Sequence, residues 1–537
     1  PGSNALYRQT GPFQFEDIAD RAGVALADIW SFGAAFADVN GDGHLDLYVC
    51  AYDSPNKLLI NDGTGRFTDT AKEAGVAVKD ASMMAHFQDY DQDGDLDFYL
   101  LTNRLYRAGG LPQGDATRTV NGKPQLLPEY APYYRLEQNG PNDWVVTTTG
   151  RPDRLFQNDG TGKFVDVTES AGISGDHYGL SATWVDYDQD HDLDLYVSND
   201  FKDPDRLYQN QGDGTFRDVI KDVVPHTPWF SMGSDAADMN NDGLLDMVVL
   251  DMSSTTHYKE KLNMGDMSKF QRFMDEAEPR QLMRNAYFIN SGAGRFMESA
   301  HLSGLSSTDW SWAVKLADFD NDSLTDVFIT NGMTAELTNA DLGMNQSSYV
   351  GREEWSYLKD KPRRPEPNVA FRNRDGFRFD KVAADWGLNH DGMSYAAAWA
   401  DFDKDGHLDL VVANLNENVS VYRHRGNASS RTLISLRGLG KNVHGIGATV
   451  TARVSARTQT RVLNPATGFL SSNEPILHFG FGDAAIIDEI AITWPSGTHQ
   501  VLTGIEANTH LLIAEPNQSV IRRELPADPM FALKENL

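Results

Sequence analysis

The chain has 537 residues, 40% of them hydrophobic and 23% charged, which is enough to bury a sizeable core and suits two to four domains or one large repeat architecture with an appendage. A formal net charge of −30 excludes nucleic acid and anionic membranes as partners, since both demand basic patches, and no apolar run approaches the roughly 18 residues of a membrane span. Cys50 is the lone cysteine, so internal disulfides are excluded too, which suits a cytosolic protein or an exported one stabilised by metal.

The chain opens on PGSNALYRQ, without an initiating Met or an apolar leader core, and reads as a start left after removal of any leader, so the absence of a signal peptide decides nothing. The next segment, FQFEDIA, reads as an orphan outer strand able to complete the last repeat and close a ring. From there an acidic stretch recurs six times, as DVNGDGHLD from Asp38, DYDQDGDLD from Asp89, DYDQDHDLD from Asp186, DMNNDGLLD from Asp238, DFDNDSLTD from Asp318 and DFDKDGHLD from Asp401. Small and apolar residues precede each copy and a strand-like run follows it. Stretches such as RLFQNDGTGKFVDV add two more short strands around an Asn/Asp-Gly turn, a hairpin signature. The unit is therefore four strands, A to D, with the acidic loop between A and B, and such units repeated predict an all-β propeller. Asp89 and Asp186 are 97 residues apart where Asp38 and Asp89 are 51 apart, so residues 107–150 are read as a degenerate blade. Seven blades are favoured; six with a long insertion is the alternative.

Crowded carboxylates repel unless a cation neutralises them. In D-x-[DN]-x-D-G-x-x-D the side chains at positions 1, 3, 5 and 9 and the carbonyl at 7 can converge on one ion, with Gly at 6 for the sharp turn. Oxygen-only ligands favour Ca²⁺. The ligand sets are Asp38, Asn40, Asp42, His44 and Asp46; Asp89, Asp91, Asp93, Asp95 and Asp97; Asp186, Asp188, Asp190, Asp192 and Asp194; Asp238, Asn240, Asp242, Leu244 and Asp246; Asp318, Asp320, Asp322, Leu324 and Asp326; and Asp401, Asp403, Asp405, His407 and Asp409. Val49 in place of a bidentate Glu excludes an EF-hand. His191 and Ser323 replace the turn glycine, so strain or weaker binding is expected there. About six Ca²⁺ would bring the net charge from −30 to −18.

These repeats resemble the FG-GAP/VCBS repeats of integrin-like propellers. The later segments NVHGIGATVTARV, GFLSSNEPILHFGFG, IDEIAITWPSG and VLTGIEANTHLLIAEP closely resemble the ASPIC/UnbV domain. The pairing is typical of exported bacterial proteins and of animal cartilage acidic proteins. The resemblance implies a calcium-bearing propeller followed by a small β domain, in an extracellular or periplasmic setting, and carries over no settled activity.

The expected organisation is a propeller over 1–427, a β-sandwich-like domain over 428–518 and a tail over 519–537. Insertions at 107–150, 252–283 (read as helical) and 332–366 fall between B and C strands. Strand alternation places them on the face opposite the acidic loops. The D–A connections on that face carry Trp30, His86, His177, Tyr178, His226, Trp229, Trp310, Trp312, His390 and Asp391, and B-strand ends there carry Asp53, Asn103, Arg104, Asn199, Asp200, Lys202, Asp251 and Asn331. Aromatics beside polar groups suit a carbohydrate or extracellular protein ligand, with Trp30, His86, Arg104, Trp229 and Trp310 as the binding residues expected. Each Trp alone fits inter-blade packing as well. No hydrolase, zincin or phosphate-loop motif occurs. The alternative is a carbohydrate-active lyase or dehydratase, with His177, Tyr178, His226, His390 and Asp391 as acid/base candidates. In the C-terminal segment His444, His478 and Trp494 are expected in the core or in turns.

Overall fold

The computed structural model describes residues 2–112, 114–140, 143–201, 203–264, 277–336, 339, 351–353, 356, 359–516 and 520–525. Lys202, the expected helical stretch beyond 264, most of 337–358 and most of the expected tail lie outside the described residues.

The all-β expectation holds. Blade 1 has strands Trp30–Ala37, Asp46–Pro55, Lys57–Asn61 and Phe67–Asp69; blade 2 has Lys79–Gln88, Asp97–Thr102, Arg154–Asn158 and Phe164–Asp166. Blade 3 runs Gly179–Val185, Asp194–Asn199, Arg206–Asn210, Phe216–Asp218, and blade 4 runs Ser234–Ala237, Asp246–Val249, Ala286–Asn290, Phe296–Glu298. Blade 5 comprises Ser311–Ala317, Asp326–Asn331, Val369–Asn373 and Phe379–Lys381, and blade 6 the three strands Ser394–Ala400, Asp409–Asn414 and Ser420–Tyr422. Neighbouring strands are antiparallel, and the A strands of successive blades touch from blade 1 to blade 6, which makes them the inner wall of the channel. Aromatic rings of adjacent blades fill the seams, as where Phe98 stacks on Phe156 at 4.8 Å and meets Tyr48 of blade 1 at 5.0 Å.

Two expectations need correction. Residues 107–150 supply no blade sheet: Thr117–Val120 pairs with Lys123–Leu126, and Tyr134–Gly140 with Asp143–Thr148, as two hairpins inserted between the B and C strands of blade 2. Without an acidic loop or a pairing to blade 2's own strands, the long gap is an insertion, and six blade sheets form among the described residues. The N-terminal Gln14–Asp17 does not pair with blade 6 either. It pairs with Tyr7–Gly11, and this hairpin lies against the blade 6 loop, with Phe15 at 5.5 Å from Phe402 and Gln9 bonded to the Phe402 carbonyl.

Beyond blade 6, two four-stranded sheets form the expected sandwich. One contains Leu477–Gly482, Ser430–Arg437, Thr509–Ala514 and Val520–Glu524; the other Arg457–Val462, Thr449–Val454, Ile486–Thr493 and His499–Glu506. Trp494 is buried in its core and donates to Gln500 Oε1 at 3.1 Å.

Candidate metal loops and a candidate binding face

All six acidic loops share one backbone. Positions 4 and 6 have φ between +59° and +94°, including Gln92, Gln189, Asn241, Asn321 and Lys404 at position 4 and His191 (+73°) and Ser323 (+82°) at position 6. Those last two hold the left-handed turn despite their Cβ, so the expected strain is present and the loop path is unchanged. The turn lets the position 1 carboxylate collect backbone N–H groups: Asp38 Oδ1 accepts from Gly41 and Asp42 at 2.8 and 3.1 Å, and its Oδ2 from Gly43 at 2.8 Å. Position 9 ties three strands together. Asp326 accepts the N–H of Phe319 at 3.0 Å through Oδ2 and that of Asn373 at 2.8 Å through Oδ1, and Asp46, Asp194, Asp246 and Asp409 repeat the pattern.

Whether these loops suit a cation follows from what faces inward. Carboxylates at positions 1, 3 and 9 lie within 4.8 Å of one another in four loops: Asp89, Asp91, Asp97; Asp186, Asp188, Asp194; Asp318, Asp320, Asp326; and Asp401, Asp403, Asp409. Loops 1 and 4 carry Asn40 and Asn240 at position 3. Several of the oxygens are buried without a hydrogen-bond partner, among them Asp89 Oδ1, Asp97 Oδ2, Asp188 Oδ1 and Asp320 Oδ1. Burial first, and like-charged neighbours next, push Asp89 up to about 8, and burial above all raises Asp97 to about 10 and Asp194 to about 9. Buried, converging, unpartnered oxygens fit a hard divalent ion. The position 5 carboxylates lie outside these groups; one oxygen of each caps the position 7 N–H, as Asp42 does for His44 and Asp322 for Leu324.

Two supporting shells were missed at the sequence level. The Asn that ends a C strand reaches the loop of the preceding blade: Asn158 to the Val39 carbonyl at 2.9 Å, Asn210 to Tyr90 at 2.8 Å, Asn290 to Tyr187 at 2.8 Å, Asn373 to Met239 at 2.7 Å. The residue before it contacts the position 3 carboxylate, Gln157 on Asp91 and Gln209 on Asp188, each at 2.6 Å. The recurring QN and RN at C-strand ends were the available signal.

The C-terminal sandwich covers the loop face. Lys441 Nζ bonds the Asn40 carbonyl at 3.1 Å, Arg431 Nε the Asp405 carbonyl at 3.0 Å, and the half-buried Arg461 lies near Asp238 and Asp318. From this lid the segment 464–473 descends into the channel. Ala466 carbonyl meets His86 Nδ1 at 3.4 Å, Thr467 carbonyl accepts from Lys315 Nζ at 2.8 Å, Gly468 bridges Ser234 and accepts from Ser181, and Asn464 reaches Trp184. A cavity of about 70 Å³, lined by residues that include Asp235, Asp318, Arg461 and His478, remains beneath the lid. His478 is buried there, which pushes its pKa down to about 3.

The opposite face stays open. Trp30 (47% exposed) stacks on Phe32 at 6.0 Å and tilts against Tyr52 at 5.5 Å; Tyr52 continues to Tyr106 (41% exposed) at 6.2 Å, and the Arg104 guanidinium lies 4.5 Å over the Tyr106 ring. Phe32 packs on the cluster that contains Phe469, the plug residue against which Trp312 lies at 5.0 Å, and Trp312 stacks on Tyr395 at 4.3 Å. Trp30 and Arg104 thus come together, joined by Tyr52 and Tyr106, which sequence reasoning missed because they sit on different blades.

Three expected ligand residues are elsewhere. His86 lies inside the A strand of blade 2, only 2% exposed, facing the plug. Trp229 is buried, stacked on Phe230 at 5.5 Å, and Trp310 is buried under Arg364. The acid/base candidates do not converge. His177 Nδ1 is 3.7 Å from Asp203, and its neighbour Tyr178 donates to the Thr148 carbonyl at 2.6 Å. His226 is buried with Arg284 and Glu298, and His390 pairs with Glu417 at 3.0 Å beside the exposed Asp391. Asn103, Asn199 and Asn331 cap backbone carbonyls at B-strand ends.

Comparison with known proteins agrees with this architecture. Residues 1–49, 48–100, 136–197 and 194–249 match the FG-GAP-like repeat family, and residues 438–520 match the ASPIC and UnbV family. Cartilage acidic protein 1 of Xenopus tropicalis is 23% identical over 91% of this chain and 74% of its own length; the Homo sapiens protein is 23% identical over 90% and 72%. The chain therefore carries FG-GAP repeats followed by an ASPIC/UnbV domain and is homologous to cartilage acidic protein 1. Among solved structures, an Agrocybe aegerita lectin that recognises non-reducing terminal N-acetylglucosamine is 11% identical over 89% of this chain and 93% of that one, with a TM-score of 0.39. The exotype rhamnogalacturonan lyase YesX is 12% identical over 90% and 73%, with a TM-score of 0.34. At these scores neither resemblance bears on the ligand. No helix among the described residues is long and apolar enough to cross a membrane.

Proposed function

We propose that this FG-GAP and ASPIC/UnbV chain is an exported propeller, loaded with about six Ca²⁺, that binds a carbohydrate on the face opposite its calcium loops. The reading takes the propeller as 1–427 and the lid domain as 428–518. Each ion is held by side chains at loop positions 1, 3, 5 and 9 and the carbonyl at 7.

The observation that carries the ligand reading is the exposed platform of Trp30, Tyr52 and Tyr106 with Arg104 above it. Sugar rings present C–H faces that stack on aromatic rings and hydroxyls that take hydrogen bonds from a guanidinium. The lid covers the calcium face, so this platform is the accessible one. In calorimetric titrations against an oligosaccharide panel, Trp30→Ala is expected to weaken the best ligand about tenfold or more, as loss of a stacking anchor does, with unchanged melting. Unaltered affinity in Trp30→Ala and in Arg104→Ala would move the ligand off this platform. New sugar products in the same incubations would favour the lyase or dehydratase alternative and direct mutagenesis to His177.

A further inference from the structure

We propose that a residue at the outer end of the C strand grades the four metal loops with Asp at position 3, making loops 5 and 6 weaker than loops 2 and 3. This rests on the reading of the loops as calcium sites.

In the four loops with Asp at position 3, that residue touches the Asp. Gln157 donates to Asp91 Oδ2 and Gln209 to Asp188 Oδ2, both at 2.6 Å. In blades 5 and 6 the same place holds arginine: Arg372 Nε is 2.6 Å from Asp320 Oδ2 and its Nη2 2.9 Å from Asp322 Oδ2, and Arg423 Nη2 is 2.7 Å from Asp403 Oδ2. Loops 1 and 4, with Asn40 and Asn240, have Ile60 and Ile289 there, so the contact appears only where position 3 is charged. In each case Oδ2 is taken from outside, and Oδ1 of Asp188, Asp320 and Asp403 is left buried without a partner, available to an ion. An outer group of this kind orients an inner ligand and tunes its charge. Glutamine fixes the carboxylate and leaves its charge intact. Arginine fixes it equally well but sets a full positive charge one carboxylate away from the ion, repelling it at a distance where the loop's buried position limits screening.

The guanidinium also neutralises part of the cluster when no ion is bound. Blades 5 and 6 are therefore built to tolerate calcium loss, while blades 2 and 3 depend on it. Falling calcium empties loops 5 and 6 before loops 2 and 3.

The test is a calorimetric calcium titration of the chelator-stripped full chain, which should resolve tight and weak classes. Arg372→Gln and Arg423→Gln, which keep a donor and remove the charge, should each raise the affinity of one weak site about tenfold. Gln157→Arg and Gln209→Arg should each lower a tight site about tenfold. Calcium stoichiometry and affinity classes unchanged in all four variants would overturn the grading while leaving the calcium reading intact. Failure of the wild type to bind calcium would overturn the calcium reading and the grading with it. Melting curves at saturating calcium confirm that each variant is folded.

Discussion

Chelation is expected to lower the melting temperature of the intact chain by on the order of 10 °C or more. An ion bound only by the folded state stabilises it by about 2.7 kcal/mol when its free concentration is a hundred times the dissociation constant, and several loops contribute together. The effect should be large because the loops join strands. Position 9 aspartates link the A–B loop to the C strand within a blade, and the C-strand asparagines carry that link into the preceding blade's loop. Without cations, groups such as Asp97 and Asp326 are buried carboxyls pushed far above their usual range, and repulsion inside each loop opposes the closed turn. Differential scanning calorimetry in calcium and in EDTA checks this. A melting curve indifferent to EDTA would remove the metal reading of all six loops.

The second large effect is expected at Lys315. Its ammonium is fully buried on the channel wall, held by the Thr467 carbonyl at 2.8 Å and hydroxyl at 3.2 Å, and it is the cation that faces the buried Asp235. Burial disfavours both charges, raising Asp235 and lowering Lys315. Lys315→Met leaves Asp235 uncompensated and removes the anchor of the plug, at a cost of about 3–5 kcal/mol. Adding Asp235→Asn should recover much of that loss, because no buried charge is then left alone. The single variant should suffer less at pH 5 than at pH 8. Burial holds Asp235 above its unfolded value and loss of Lys315 raises it further, so the folded state holds the proton more tightly and the carboxyl's cost grows as pH rises from the unfolded value toward the folded one. Chemical denaturation of the single and double variants at both pH values, in saturating calcium, gives the comparison. Equal loss in the single and the double variant would mean that Lys315 acts only through packing.

The acidic loops and the A–B–C–D unit were legible because their information is local: nine residues specify a turn and its ligands, and the hairpin signal lies within ten more. The three insertions were read between B and C strands for the same reason. What escaped depends on pairing at a distance. The gap before Asp186 matched two repeat periods in length, yet residues 107–150 pair mainly among themselves. His86 was read in a connection because the A strand of blade 2 runs longer than its acidic loop suggests, from Lys79 to Gln88. Trp229 and Trp310 sit where an aromatic can either stack on a ligand or seal a seam, and only their neighbours decide. The segment NPATGFLSSN has no periodicity at all, since it satisfies its polar groups on the inner strands of several blades.

That segment has a consequence for how the protein is made. It follows every blade in chain order, and its contacts span 152 residues to Lys315, 287 to Ser181 and 380 to His86. Such long closures are slow to form, so the inner strands must be assembled before their central partner arrives. During synthesis the growing ring exposes Ser181, Ser234 and Lys315 to a wet axis, and only the segment after the blades dries it. Assembly of the ring is thus read out at its centre, by a keystone that follows the blades.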